Sequence, residues 1–165
     1  MYLAIDVGGT KTLVAALDAD GVIKEKIKFP TPEKYDDFLA NLKETLAGFK
    51  NDDFFAGGIG VPGNINRDLG VATKFGNLKW QNVPVQHDIE QITSCPIALE
   101  NDAKMAGLSE AMLLKDKFDS VLYLTVSTGI GIALIVDGVI DENFGDADGR
   151  ELKIEHKGKM MDWED

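Results

Sequence analysis

The sequence predicts an α/β protein assembled from two related halves, and three observations carry that expectation. A short apolar run, Tyr2 to Ile5, is followed by a glycine turn and a second apolar run, Leu13 to Leu17. A near-continuous apolar segment, Phe54 to Val61, ends in Pro62-Gly63-Asn64 and has segments of helical periodicity on either side. The stretch Val121 to Ile140 then repeats the N-terminal organisation: apolar strand, Gly/Thr turn, second strand, Asp-Gly hairpin, and a third strand opening Val-Ile. An internal repeat bears on the whole fold, whereas a single motif bears only on its own turn.

Taken in order, two runs joined by a tight glycine turn read as strands of a hairpin. Asp18-Ala19-Asp20-Gly21 is a second hairpin turn, leading into a strand from Val22 to Phe29. That strand alternates Ile23, Ile27 and Phe29 with Lys24, Lys26 and Lys28, the pattern of a half-solvated edge strand. Tyr35, Phe38, Leu39, Leu42, Leu46 and Phe49 recur at helical spacing and predict an amphipathic helix that covers one sheet face. Phe54 to Val61 reads as a buried parallel strand. Ligands collect past the carboxyl ends of such strands, which makes Pro62-Gly63-Asn64 a candidate binding edge.

Asn77-Leu78-Lys79-Trp80 lies in a Gly- and Asn-rich loop, where Trp80 either packs the loop or offers a face to a sugar. Pro84 opens a helix through Ile89 and Ile92, and Ile97-Ala98-Leu99 forms a further strand. A helix from Ala103 to Leu114 is expected to bury Met105, Ala106, Leu108, Met112 and Leu113. At its start, Asn101 and Asp102 serve either as an N-cap or as polar groups aimed into a cleft. Past Ile140 the chain is strongly charged, and Met160 to Asp165 reads as the start of an amphipathic helix. The second repeat has its hairpins without covering helices, so the chain is expected to be a truncated form. The domains are expected at 1–118 and at 119–165.

The composition narrows the function. With 165 residues, 44% of them hydrophobic, the chain can bury a real core. A formal charge of −11 argues against nucleic acid and anionic membrane as partners. No run is long and apolar enough to span a bilayer. Cys95 is the single cysteine, so it is expected as a small core residue of a cytoplasmic protein, with no cysteine zinc site.

Asp6-Val7-Gly8-Gly9-Thr10-Lys11 carries the first chemical signal. Paired glycines allow close approach to an anion, Thr10 adds a hydroxyl and Lys11 a positive charge. Apolar residues resume directly after Thr12, which excludes a P-loop and a dinucleotide fingerprint, since both open a helix. Asp6 beside a phosphate cradle calls for an intervening cation, Mg²⁺ held mostly through water. The matching Gly/Thr turn in the second repeat suggests two similar domains facing one nucleotide.

With these residues in view, the sequence resembles the ROK family (repressor, open reading frame, kinase) of sugar kinases and sugar-responsive regulators. Asp6 to Lys11 looks like the family's first phosphate motif and Ser127-Thr128-Gly129-Ile130-Gly131 like its second. Gly60-Val61-Pro62-Gly63, Asn77 to Trp80 and Glu100-Asn101-Asp102-Ala103 match further family segments in order. The resemblance extends to about Ile140, roughly the first half of a typical member. It implies an actin-like, ribonuclease-H-like fold and ATP-dependent, glucokinase-like phosphorylation of a hexose or amino-sugar hydroxyl. Separately, the uncovered apolar strands of the second repeat predict a homo-oligomer such as a dimer.

By the same resemblance Asp102 is the catalytic base. Gly8, Gly9, Thr10, Lys11, Thr128 and Gly129 surround the phosphates of ATP, and Asp6 organises Mg²⁺. Gly63, Asn77, Asn101, Asp102, Glu151, Glu155 and His156 bind the sugar, either glutamate taking the family's role. Three departures stand out. The family's Glu-x-Gly-His motif is altered to Glu151-Leu152-Lys153-Ile154-Glu155-His156. The cysteine-rich zinc motif is missing. Lys104 stands where the family commonly has Asn. The alternative function is a non-enzymatic sugar-sensing domain of a ROK-type regulator, which the acidic charge disfavours as a DNA-contacting element.

Overall fold

The computed structural model describes residues 1–75, 78–126, 130–144 and 153–162. The chain divides into two compact units, Met1–Asp102 and Ala103–Asp165.

The first unit is built on a five-stranded sheet of order β3-β2-β1-β4-β8. Strands β1 (Tyr2–Val7), β2 (Lys11–Leu17) and β3 (Ile23–Pro30) form an antiparallel meander with β3 at the edge, as its lysines predict. Strand β4 (Ala56–Val61) pairs parallel with β1, and β8 (Ile97–Asn101) pairs parallel with β4. The pleat sends Leu3, Ile5 and Val7 to one face, where they join Phe38, Leu42 and Leu46 of α1 (Tyr35–Ala47) and Val85 and Ile89 of α2 (Val85–Thr93) in one core. Phe38, Leu42 and Ile89 have no exposed surface.

The segment read from sequence as turn and loop instead forms a second, three-stranded antiparallel sheet, β5 (Asn64–Asn66), β6 (Val71–Lys74) and β7 (Gln81–Val83). These strands are too short to show periodicity. Trp80 is 3% exposed and packs edge-on against Tyr35 and Phe75, with Phe38 also in contact, so its role is packing. Cys95 is buried in the same core, as expected.

In the second unit, β9 (Ser120–Val126), β10 (Ile130–Val136) and β11 (Val139–Ile140) form an antiparallel meander of order β11-β10-β9. Asp137 and Gly138 both have positive φ (51° and 77°), the primed turn that an Asp-Gly hairpin favours. The second meander therefore repeats the order of the first.

Helix α3 (Asp102–Leu114) buries Ala103, Lys104, Gly107 and Ala111, and leaves Met112 and Leu113 exposed, contrary to the expected apolar face. The reason is close approach. A Cβ on Gly107 would lie 2.8 Å from the Ala133 Cβ and 3.0 Å from the Tyr123 Cβ, so the small residues face the sheet. Apart from its first residue, α3 groups with this sheet, whereas the sequence reading kept it in the earlier domain. Lys104 is 1% exposed, and its ammonium donates to the carbonyl oxygens of Glu142 (3.0 Å) and Asp141 (3.5 Å). The opposite face of β9 exposes Leu122, Leu124 and Val126.

Strands β12 (Lys153–His156) and β13 (Lys159–Asp162) form a hairpin, so the described part of the expected C-terminal helix is a strand. Lys157 and Gly158 take positive φ (51° and 76°), a turn signal that outweighs the residues after it.

Candidate functional site

The β1–β2 turn is held from both sides. The Gly8 amide donates to the Lys11 carbonyl (3.0 Å), and a Cβ on Gly8 would sit 2.9 Å from that oxygen, so the turn admits no side chain there. Thr31, between two prolines after β3, ties the turn down. Its hydroxyl donates to the Gly8 carbonyl (2.8 Å) and lies 3.0 Å from the Thr12 hydroxyl, while its amide donates to the Thr10 carbonyl (3.0 Å). The side chains of Thr10 and Lys11 are left at the surface.

Asp6 lies on the sheet face opposite the helices. Cross-strand register sets Lys28, Leu13, Asp6, Gly60 and Glu100 in one row from β3 to β8. Gly60 leaves the floor open between two carboxylates two strand spacings, about 9–10 Å, apart. Partial desolvation against the sheet raises the Asp6 pKa, against the opposing pull of Lys28, although the residue keeps exposed surface.

As pH rises, the unfolded chain gives up the Asp6 proton first. The ionised group therefore costs stability above the unfolded carboxylate range, and the loss is complete above the folded value. Asp6→Asn is expected to raise Tm at neutral pH and to leave it unchanged in acid below the ordinary Asp value of about 3.9. Thermal melts at the two pH values check this.

The second part of the site lies at the carboxyl ends of β4 and β8. Gly63 has φ of 105°, and a Cβ there would come within 2.1 Å of the Lys74 carbonyl oxygen. Its own carbonyl accepts from the Asn101 side-chain amide (3.1 Å). Glu100 makes a bidentate pair with Arg67, at 2.8 Å to Nε and 2.7 Å to Nη2, and its Oε1 also accepts the Asn101 backbone N–H at 2.6 Å. Asp102 follows directly, half-buried in the first turn of α3, where an acidic residue complements the helix N-terminus.

The structure thus brings Gly63, Asn101 and Asp102 to one sheet edge, and it places Asp6, Gly8, Gly9, Thr10 and Lys11 at the end of β1 in the same unit. Asn77, Thr128, Gly129 and Glu151 lie outside the described residues. Glu155 is exposed on β12, and His156 lies on the same strand. Thr31, Arg67 and Glu100 had no assigned role in the sequence reading. The Pro30-Thr31-Pro32 bracket was a usable signal for Thr31; nothing local marks Arg67 as the partner of Glu100.

Among the described residues no three His, Cys, Asp or Glu side chains gather to hold a metal. One carboxylate, Asp6, above an open glycine floor suits a hydrated cation better than a caged one. No helix among the described residues is long and apolar enough to cross a membrane.

A family model described as the ROK family matches residues 2–142. The chain is 30% identical over 148 residues to a glucokinase of Halalkalibacterium halodurans, an alignment covering 84% of this chain and 45% of that protein. It is 37% identical over 81 residues to a xylose repressor of Caldicellulosiruptor bescii, covering 48% of this chain and 20% of that one. Among solved structures, a ROK family glucokinase from Streptomyces griseus in complex with glucose and AMPPNP superposes with a TM-score of 0.78 at 27% identity, covering 90% of this chain and 49% of the other. The chain spans a little under half the length of such relatives. Two repeated meanders, the ordered motifs and the family match over 2–142 lead to one conclusion: this chain belongs to the ROK family and has its actin-like ATPase fold.

Proposed function

We propose that this chain supplies the sugar-binding edge, the catalytic carboxylate and the first phosphate-binding turn of an ATP-dependent sugar kinase. The observation that carries the reading is the Asn101 side chain fastened to the Gly63 carbonyl (3.1 Å), which fixes the residue before Asp102 at the carboxyl ends of β4 and β8. In the proposed reaction Asp102 takes the proton of a sugar hydroxyl as that oxygen attacks the γ-phosphorus of ATP. A new O–P bond forms, the bond to the ADP oxygen breaks, and the proton stays on the Asp102 carboxyl until solvent removes it. Such a transfer depends mostly on alignment and charge neutralisation.

Asn101, Gly63 and Asn77 would orient the sugar, together with Glu151 or Glu155 and His156. Gly8, Gly9, Thr10, Lys11, Thr128 and Gly129 would hold phosphate oxygens. Mg²⁺ held through water by Asp6 would neutralise charge on the phosphates. The reading is of a cytoplasmic, glucokinase-like enzyme with no nucleic-acid partner, supported by the acidic charge of −11. It includes association into a homodimer, supported by the exposed Leu122, Leu124 and Val126, and a sedimentation experiment returning only monomer would remove that part.

A coupled ADP-release assay on the full-length protein, with a panel of hexoses and N-acetylated amino sugars, tests the reaction. Sugar-dependent ADP release is the expected result. The similarity to a xylose repressor supports a second reading, a non-enzymatic sugar sensor. Tight sugar binding with no turnover on any sugar would establish that reading over the kinase.

A further inference from the structure

We infer that Arg67 is a positioning residue, a clamp that acts through Glu100 to set the direction of Asn101; the inference rests on the sugar-site reading of Asn101. The geometry forms a relay. Arg67 grips both Glu100 oxygens at 2.8 and 2.7 Å. The gripped Oε1 accepts the Asn101 backbone N–H at 2.6 Å, and Asn101 then reaches the Gly63 carbonyl at 3.1 Å. Both members of the ion pair are largely shielded, with side chains 19% and 14% exposed. A carboxylate so placed needs its partner, because removing one member leaves a charge with little water to take over.

The clamp sits on a rigid base. The Arg67–Gly70 turn closes through the Gly70 amide donating to the Arg67 carbonyl (3.2 Å), and the Asn66 side chain accepts the Leu69 amide (3.1 Å). The turn is fastened to α2 by the Gln86 amide donating to the Gly70 carbonyl (3.1 Å). Gly70 has φ of 64°, and a Cβ there would lie 2.6 Å from the Gln86 side chain, so the turn is packed tight against the helix. A functional side chain is held accurately when its supports are themselves locked. The fork also explains why the residue is Arg. Two parallel N–H groups fix the carboxylate plane, which a lysine ammonium does not do.

The experiment uses the 165-residue chain with Arg67→Met, Arg67→Lys and the pair Arg67→Met/Glu100→Gln, read by amide hydrogen exchange at Asn101 and by calorimetric titration with glucose. Exchange at Asn101 is expected to accelerate in all three variants. Arg67→Lys keeps the charge and so remains folded if Arg67→Met does not. The double variant is expected to recover thermal stability without recovering Asn101 protection, whereas a purely structural pair would restore both together. Glucose Kd is expected to rise by about tenfold, equivalent to about 1.4 kcal/mol. Unchanged Asn101 exchange in Arg67→Met and Arg67→Lys overturns the clamp, as does accelerated exchange with an unchanged Kd. If the unmodified chain binds no glucose, the sugar-site reading fails, and the exchange measurement still decides whether Arg67 holds Asn101.

Discussion

Replacing Asp102 by Asn in the full-length protein is expected to lower kcat by about 10²–10⁴-fold while leaving the KM for sugar nearly unchanged, the range for loss of a general base. Asn has the shape of Asp and still hydrogen-bonds, so the substitution removes proton acceptance and little else. The half-buried position of Asp102 at the start of α3, directly after the fixed Asn101, is what makes the effect specific. A steady-state assay across sugar concentrations separates kcat from KM. Activity within about tenfold of the unmodified protein would remove Asp102 as base, since a positioned base contributes at least about 10².

The second large effect is expected at Gly63. Its φ of 105° is costly for any residue with a Cβ, and the added carbon would meet the Lys74 carbonyl oxygen at 2.1 Å and the Phe75 Cα at 2.9 Å. Both obstacles are backbone of and beside β6, which a rotamer change cannot move. Strain and overpacking together are expected to make Gly63→Ala cost roughly 3 kcal/mol or more. For a chain of this size that corresponds to a fall in Tm of roughly 6–12 °C. The same shift displaces the carbonyl that receives the Asn101 side chain, so sugar affinity should fall as well. A melting curve that overlays that of the unmodified chain would show that the β4–β5 turn relaxes more easily than its geometry implies.

The parts of this fold that were legible in the sequence are those written in local patterns. The spacing of Phe38, Leu42 and Leu46 in α1 reported the helix face correctly, and the lysines of β3 its place at the sheet edge, whereas Ile23 and Ile27 of its apolar series are exposed and only Phe29 is shielded. The Asp-Gly turns were legible because few residues tolerate positive φ. The buried face of α3 was not legible. Its apolar residues are spread around the helix, and the side that packs is chosen by how closely Ala103, Gly107 and Ala111 let it approach the sheet. Trp80 lies in a loop and packs, one of the two roles its sequence context offered. The choice was not legible because the aromatic group that buries it draws Tyr35, Phe38 and Phe75 from distant segments.

The candidate site divides in the same way. Gly8 and Gly63 announce themselves as glycines in turn contexts, and Asn101-Asp102 as polar residues ending an apolar strand. Arg67 and Glu100 are 33 residues apart and meet only through the pairing of β4 with β8 and the fold of the small sheet beside it. No periodicity or spacing rule connects them.

The measurement that bears most directly on the central claim is a glucose titration of the isotopically labelled chain followed by amide NMR. The largest saturable shift changes are expected on Gly63, Asn101 and Asp102, with smaller ones along the Arg67–Gly70 turn. Saturable changes confined to other residues, or none at saturating sugar, would contradict the placement of the sugar at the ends of β4 and β8.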